Sequence, residues 1–293
     1  MALTSNNMGN MGNMGLAPSA EGGAYPAASL PFGDLLTKPS AGPPRSLLVG
    51  SALLEFGVVR KRRFPDEAWH PSFRAQTILA EFAATKWPAL LKDSGFAPDP
   101  KVILDGKNYK YTVTNSFDDI VEDEIKDLLA LAASRRPVRL AEIVAQADDA
   151  RPYWSDMLLA GPAIRPYIWT LVETGLAVGQ MVAMHFKAQY SRARPAQVYP
   201  ALMPPILTPP HASYPNAHAL QSLLMSGCAK LAAPELSDPL DALANRIGEN
   251  REIAGVHYPS DRIASQHIAD KVLPQLQKCQ KFKDVLKKAK LEY

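Results

Sequence analysis

Lys187 and Arg194 lie seven residues apart in "FKAQYSRARPAQVYP", with Pro195 directly behind. On a continuous helix that spacing leaves two side chains about 20° out of line, on one face and two turns apart. A planar guanidinium beside an ammonium at a helix end suits an oxyanion such as phosphate. Proline then ends or bends the helix. Alone, such a pair also fits a solvated basic helix end.

A second stretch, "HASYPNAHALQ", holds two of the six histidines. A helix opening near Asn216 aims its first backbone N–H groups at any nearby anion, the N–H of Ala217 among them. His218 then stands where it could give or take a proton near neutral pH, or serve as a capping or core histidine. The third stretch is "NREIAGVHYPSDRIASQHIAD", where Arg251 precedes His257 by six residues and Asp261 follows it by four. A carboxylate one turn beyond a histidine can bond one ring nitrogen, leaving the other free as nucleophile or ligand. It could also be a plain structural hydrogen bond.

In order and spacing, the three stretches resemble the superfamily of type 2 phosphatidic acid phosphatases, bacterial non-specific acid phosphatases and vanadium haloperoxidases. Its signature runs K-x6-R-P, P-S-G-H and S-R-x5-H-x3-D. The matching residues here are Lys187, Arg194 and Pro195, then Pro215 and His218, then Arg251, His257 and Asp261. Asn216 and Ala217 replace the usual serine and glycine of the second motif, and Asn250 replaces the serine before Arg251.

The resemblance implies a helical bundle with one oxyanion pocket. As a phosphatase, His257 would attack phosphorus, His218 would protonate the leaving alcohol and Asp261 would orient His257. Lys187, Arg194 and Arg251 would hold the non-bridging oxygens, helped by the Asn216 amide and the Ala217 N–H. That reaction needs no cofactor. As a haloperoxidase, the same pocket would bind vanadate with His257 as the metal ligand, and peroxide and halide would be the substrates. A non-catalytic descendant that only binds an oxyanion is the third reading. A soluble phosphatase acting on a small phosphorylated molecule is the expectation carried forward.

The elements that must position these residues read as helices. Apolar residues recur at three- and four-residue spacing in "SFRAQTILAEFAATKWPALL". "SFDDIVEDEIKDLLALAASRR" opens with acids and closes with arginines, as a helix dipole favours. "RLAEIVAQADD" and residues 163–190, 217–233, 238–250 and 260–290 follow the same pattern. Only "KVILDGKNYKYTVTN" has strand character, as a small hairpin or an extended connection. The fold class is therefore mainly α: a single helical domain over residues 46–293 with its motif core at 160–275. Residues 1–45, with three NMG repeats and then a Pro/Gly/Ser/Ala-rich stretch, read as a disordered tail.

Composition narrows the function classes. A net charge of +3 gives no reason to invoke nucleic acid, and the "RKRRF" run reads as a solvated loop edge. Residues 163–186 are the most apolar, but Arg165, Pro166, Glu173, Gln180 and two glycines interrupt them, so a buried central helix is expected and not a membrane span. The N-terminus lacks the basic and apolar regions of a secretion signal, which points to the cytoplasm. Cys228 and Cys279 fit no metal or redox spacing; they read as free thiols, with one disulfide the alternative. A homo-oligomer is left open.

Overall fold

The computed structural model describes residues 64–89 and 117–293. The expected tail, the basic run Arg60–Arg63 and the 101–115 segment lie outside them. Residues 70–89 and 117–293 belong to one compact unit, while 64–69, with a short 3-10 turn at Asp66–Ala68, belong to another.

Among the described residues the regular structure of this unit is all helical, without a strand. The helices are α1 (Pro71–Ala84), α2 (Val121–Ser134), α3 (Arg136–Asp148), α4 (Arg151–Leu158), α5 (Pro166–Tyr190) and α6 (Pro195–Val198). They continue with α7 (Ala217–Lys230), α8 (Ser237–Ile253), α9 (Pro259–Leu276) and α10 (Gln280–Ala289). Proline sets several of the starts. Pro71, Pro166, Pro195 and Pro259 each occupy a first helical position, where the missing N–H costs no hydrogen bond. Pro137 does the same near the start of α3, which is why the run expected as one helix to Arg136 closes at Ser134.

Two further boundaries differ from the sequence reading. Residues 260–290 form two helices: α9 runs through Pro274 to Leu276, and Cys279, in extended conformation, is the N-cap of α10. Residues 151–158, which carry a weak pattern, form α4.

The long α5 is buried along most of its length and packs against α7, α1 and α10. Its only buried acid, Glu173, pairs with Arg151 of α4. Glu292 accepts from the free N–H groups of Tyr167 and Ile168 and so closes the start of α5. No helix among the described residues is long and apolar enough to cross a membrane.

The crossing of α5 with α7 sets the geometry that matters for the site. A Cβ on Gly175 would lie 2.5 Å from the Met225 nitrogen, and one on Gly179 would lie 2.9 Å from the Gln221 Cα. The two backbones therefore touch, and residues later in α5 meet residues earlier in α7. Followed to its end, this antiparallel register brings Lys187 to the segment that precedes α7.

Candidate functional site

Lys187 sits in the last turn of α5 and is buried. Its Nζ donates to three carbonyls, those of Ala212, Ser213 and Pro215, at 2.7, 2.8 and 2.6 Å. All three ammonium protons are thus committed to the loop before α7. Lys187 contributes charge and loop shape, and the expected direct hold on an oxyanion is taken by main chain.

Lys187 and Arg194 do not share a helix face. The helix stops at Tyr190, Ser191 adopts φ 47°, and Arg194 is the extended N-cap residue of α6. The chain reversal still brings the two cations to one place. The Arg194 fork donates to the carbonyls of His211 and Val256 at 2.8 Å each. Its Nη1 also stands 3.2 Å from His257 Nε2, and its Nη2 stands 3.0 Å from His211 Nδ1.

His257 is not helical either. Gly255, at φ 80°, turns the chain out of α8, and Tyr258 is the N-cap of α9. Asp261 occupies the third position of α9, where its Oδ2 accepts from the Tyr258 N–H at 3.0 Å, the acid half of a capping box. The same oxygen accepts from His257 Nδ1 at 3.0 Å and from the Ser213 hydroxyl at 2.5 Å. The His–Asp contact thus arises from the capping turn and not from one turn of helix. Burial would raise the Asp261 carboxyl, but Arg192, His257 and Ser213 hold it below its ordinary value. An ionised Asp261 assigns the His257 proton to Nδ1 and leaves the lone pair on Nε2.

Asn216 caps α7: its Oδ1 accepts from the Ala219 N–H at 3.1 Å, and its Nδ2 reaches the Gly248 carbonyl at 3.4 Å. The amide is therefore engaged in holding α7 and α8. Ala217 and His218 open the helix, where N–H groups have no intrahelical partner. The Asn216 N–H donates to the Asp261 carbonyl at 3.0 Å, and Ser265 donates to the Asn216 carbonyl at 2.7 Å. These bonds tie the starts of α7 and α9 together.

Arg251 lies in the last turn of α8 and uses only Nη2, toward the Ile143 carbonyl at 2.9 Å. Its Nε and Nη1 are buried with no protein partner, as are both ring nitrogens of His218 and Nε2 of His211. Burial first, and then the charges of Arg251, His257, Arg194 and Lys187, push His218 well below its ordinary pKa. Burial and Arg194 likewise keep His257 neutral, and burial brings Arg194 and Arg251 down to about 10. Cations and neutral imidazoles with unpaired polar atoms are a set of groups that can take an anion.

Four residues that sequence reasoning passed over share the site. His211 lies against Arg194, and Ser213 bonds Asp261. Arg192 and Glu124 form an ion pair behind Asp261. Arg192 was in view inside "SRARP", and His211 inside the opening of the second motif; Glu124 was one acid in a cluster of acids. Asn250, the third departure from the signature, faces away from this centre and bonds Glu142, Gln146 and Arg139.

No family model and no curated protein matches the chain. Among solved structures it is similar to a transmembrane PAP2-type phosphatidylglycerolphosphate phosphatase from Bacillus subtilis. That likeness has a TM-score of 0.31 and 16% identity, over 71% of this chain and 94% of the other.

Proposed function

We propose that the chain is a phosphatase that hydrolyses small phosphomonoesters through a phosphohistidine on His257. The observation that carries this reading is the pair of buried groups with polar atoms the protein leaves unpaired, Arg251 and His218, together with a histidine whose Nε2 carries its lone pair toward the Arg194 guanidinium, 3.2 Å away. Each unpaired buried donor costs about 1–3 kcal/mol, so a fold that keeps several together is paired by something it binds.

The chemistry follows from the atoms. His257 Nε2 attacks phosphorus, and the P–N bond forms as the ester P–O bond breaks. The electron pair passes to the ester oxygen, which takes a proton from His218 and leaves as an alcohol. Water then attacks phosphorus and gives its proton to His218; the P–N pair returns to Nε2 and phosphate departs. Arg194 and Arg251 balance the charge of the trigonal-bipyramidal phosphorus, and Lys187 adds to the field from behind the loop. His218 is neutral at rest, and the arriving phosphate offsets the cations that depress its proton affinity. His218 thus takes up one proton with the substrate, gives it to the ester oxygen, and regains it from water in the second half of the cycle.

Vanadate shares the shape of phosphate, and the same donors fit it: Arg194, Arg251 and His218 would hold its oxygens, with His257 Nε2 as the ligand atom. Bound there, it would supply activation of peroxide for halide oxidation. Purified protein is therefore to be assayed on p-nitrophenyl phosphate beside vanadium analysis and halide oxidation. Phosphate release, inhibited by vanadate and lost in His257→Ala, is the expected result. Halide oxidation without phosphate release would overturn it. Melting raised by phosphate with neither activity would leave an oxyanion-binding protein.

A further inference from the structure

Arg192 has no place in the chemistry above, yet among the described residues it is one of the most completely bonded side chains. It is buried, and its Nη1 donates to Asp261 Oδ1 at 2.8 Å and to the Ser260 hydroxyl at 2.7 Å. Its Nη2 donates to Glu124 Oε2 at 2.6 Å. The guanidinium lies between two rings, 4.1 Å from the Phe117 centroid and 3.8 Å from that of Tyr258. Glu124 is itself fixed, because its Oε1 accepts from the Ser260 N–H at 2.8 Å.

We propose that Arg192 is a positioning residue of the nucleophile: it clamps Asp261 Oδ1 while the Tyr258 N–H and the Ser213 hydroxyl hold Oδ2, so that Oδ2 stays turned to His257 Nδ1, and Glu124 anchors the clamp from α2. This inference rests on the reading of His257 as the nucleophile. The geometry makes the case. A carboxylate held by one oxygen rotates about its Cβ–Cγ bond, and the ring it orients turns with it. Here both oxygens are held, from opposite sides, by groups that are themselves immobile. The ring stack fixes the plane of Arg192, and the two carboxylates fix its rotation within that plane. Burial opposes its charge, but Asp261 and Glu124 raise its pKa, so the clamp stays cationic. The network runs Glu124, Arg192, Asp261, His257, alternating acid and base from α2 to the attacking nitrogen. Lysine in place of Arg192 would keep the charge but lose the planar fork that reaches both carboxylates.

The test uses the full chain and two readouts. The first is the downfield proton resonance of His257 Nδ1–H, identified by its loss in His257→Ala. The second is kcat on p-nitrophenyl phosphate, set against the Kd for inorganic phosphate. In Arg192→Lys the resonance should shift or vanish and kcat should fall about 10–100-fold, as for other partners that orient a functional histidine. Phosphate affinity should hold, because Arg194, Arg251 and His218 are untouched. An unmoved resonance, or kcat and phosphate affinity falling together with Tm, overturns the proposal. Should Arg192→Lys not fold, Glu124→Gln keeps the shape and weakens the anchor. It should move the resonance and kcat in the same direction, and no movement of either overturns the proposal. If the native protein hydrolyses no phosphomonoester, the phosphatase reading fails by itself and the resonance alone decides the role of Arg192.

Discussion

Arg194 Nη1 lies 3.2 Å from Nε2 of His257, so the cation that would steady an oxyanion also rests against the lone pair that would attack it. An arriving anion exchanges this contact for its own. On this geometry His257→Ala abolishes turnover and retains phosphate binding, whereas Arg194→Lys lowers kcat/KM by about 10²–10³ through loss of the fork. Asp261→Asn falls between wild type and His257→Ala, because the ring is misdirected but present. Steady-state kinetics and calorimetric titration with phosphate check all three. Equal, mild losses would remove the nucleophile assignment.

Stability should fall on the acid side. His257, His218 and His211 all bind protons less readily folded than unfolded, His211 being brought down to about 4 by burial, Lys187 and Arg194. Below about pH 6.5 the unfolded chain therefore takes up more protons, and stability present above that pH is lost as pH falls. Depressed Asp261 adds a loss of the same sign at lower pH. Glu252, raised to about 7 by burial despite Arg262, and Glu173, raised by burial despite Arg151, act oppositely and are outnumbered by the three histidines and Asp261. Tm should drop between about pH 7.5 and 5, and phosphate at about 100 times Kd should restore about 2.7 kcal/mol. A Tm that rises on acidification would contradict the buried, neutral histidines.

Asn216 should behave as a helix cap. Replacing it by alanine removes the acceptor for the Ala219 N–H and should cost about 1 kcal/mol in denaturant unfolding. Serine caps as well, so Asn216→Ser should leave stability close to wild type. Turnover should then change by less than about threefold, under 1 kcal/mol. A much larger gain in turnover would mean that a hydroxyl at this position reaches the substrate.

The contact of α5 with α7 has no room for a methyl group. Gly175→Ala places a Cβ against the backbone of Leu224 and Met225 and should cost about 1–3 kcal/mol. Because the same crossing delivers Lys187 to its three carbonyls, the variant should also lose phosphate affinity. Urea unfolding and phosphate titration of one preparation measure both effects.

Arg251→Met should raise Tm in the absence of ligand, since an apolar chain of similar length removes a buried, half-bonded charge. The same variant should bind phosphate poorly. A lower Tm would show that the one bond from Arg251 to Ile143 matters more than its two unused donors.

Helical class and most helices were legible because their apolar spacing is regular and prolines mark their starts. The breaks at residues 191–194 and 277–279 were not, since a left-handed Ser191 and an extended Cys279 leave little trace in periodicity. The three motifs located the groups that the structure gathers, but not how it gathers them: Lys187 meets Arg194 through a reversal, and His257 meets Asp261 through a cap. Arg192 and Glu124 escaped because their partnership is tertiary, joining residues 68 apart in sequence. A carboxylate that answers a distant arginine looks, in sequence, like any other acid at a helix start.

Asp261 begins a helix and orients a histidine with one and the same oxygen. Persistence of the acid over evolutionary time is therefore no witness to activity, because a chain that had abandoned chemistry would keep it to start α9. Arg251 and His218 are the opposite kind of residue. They burden the fold whenever nothing is bound, and drift would erase them first. Among relatives of this protein, the ones that have stopped working should be recognisable by an apolar side chain at the position of Arg251 beneath an unchanged His257–Asp261 pair.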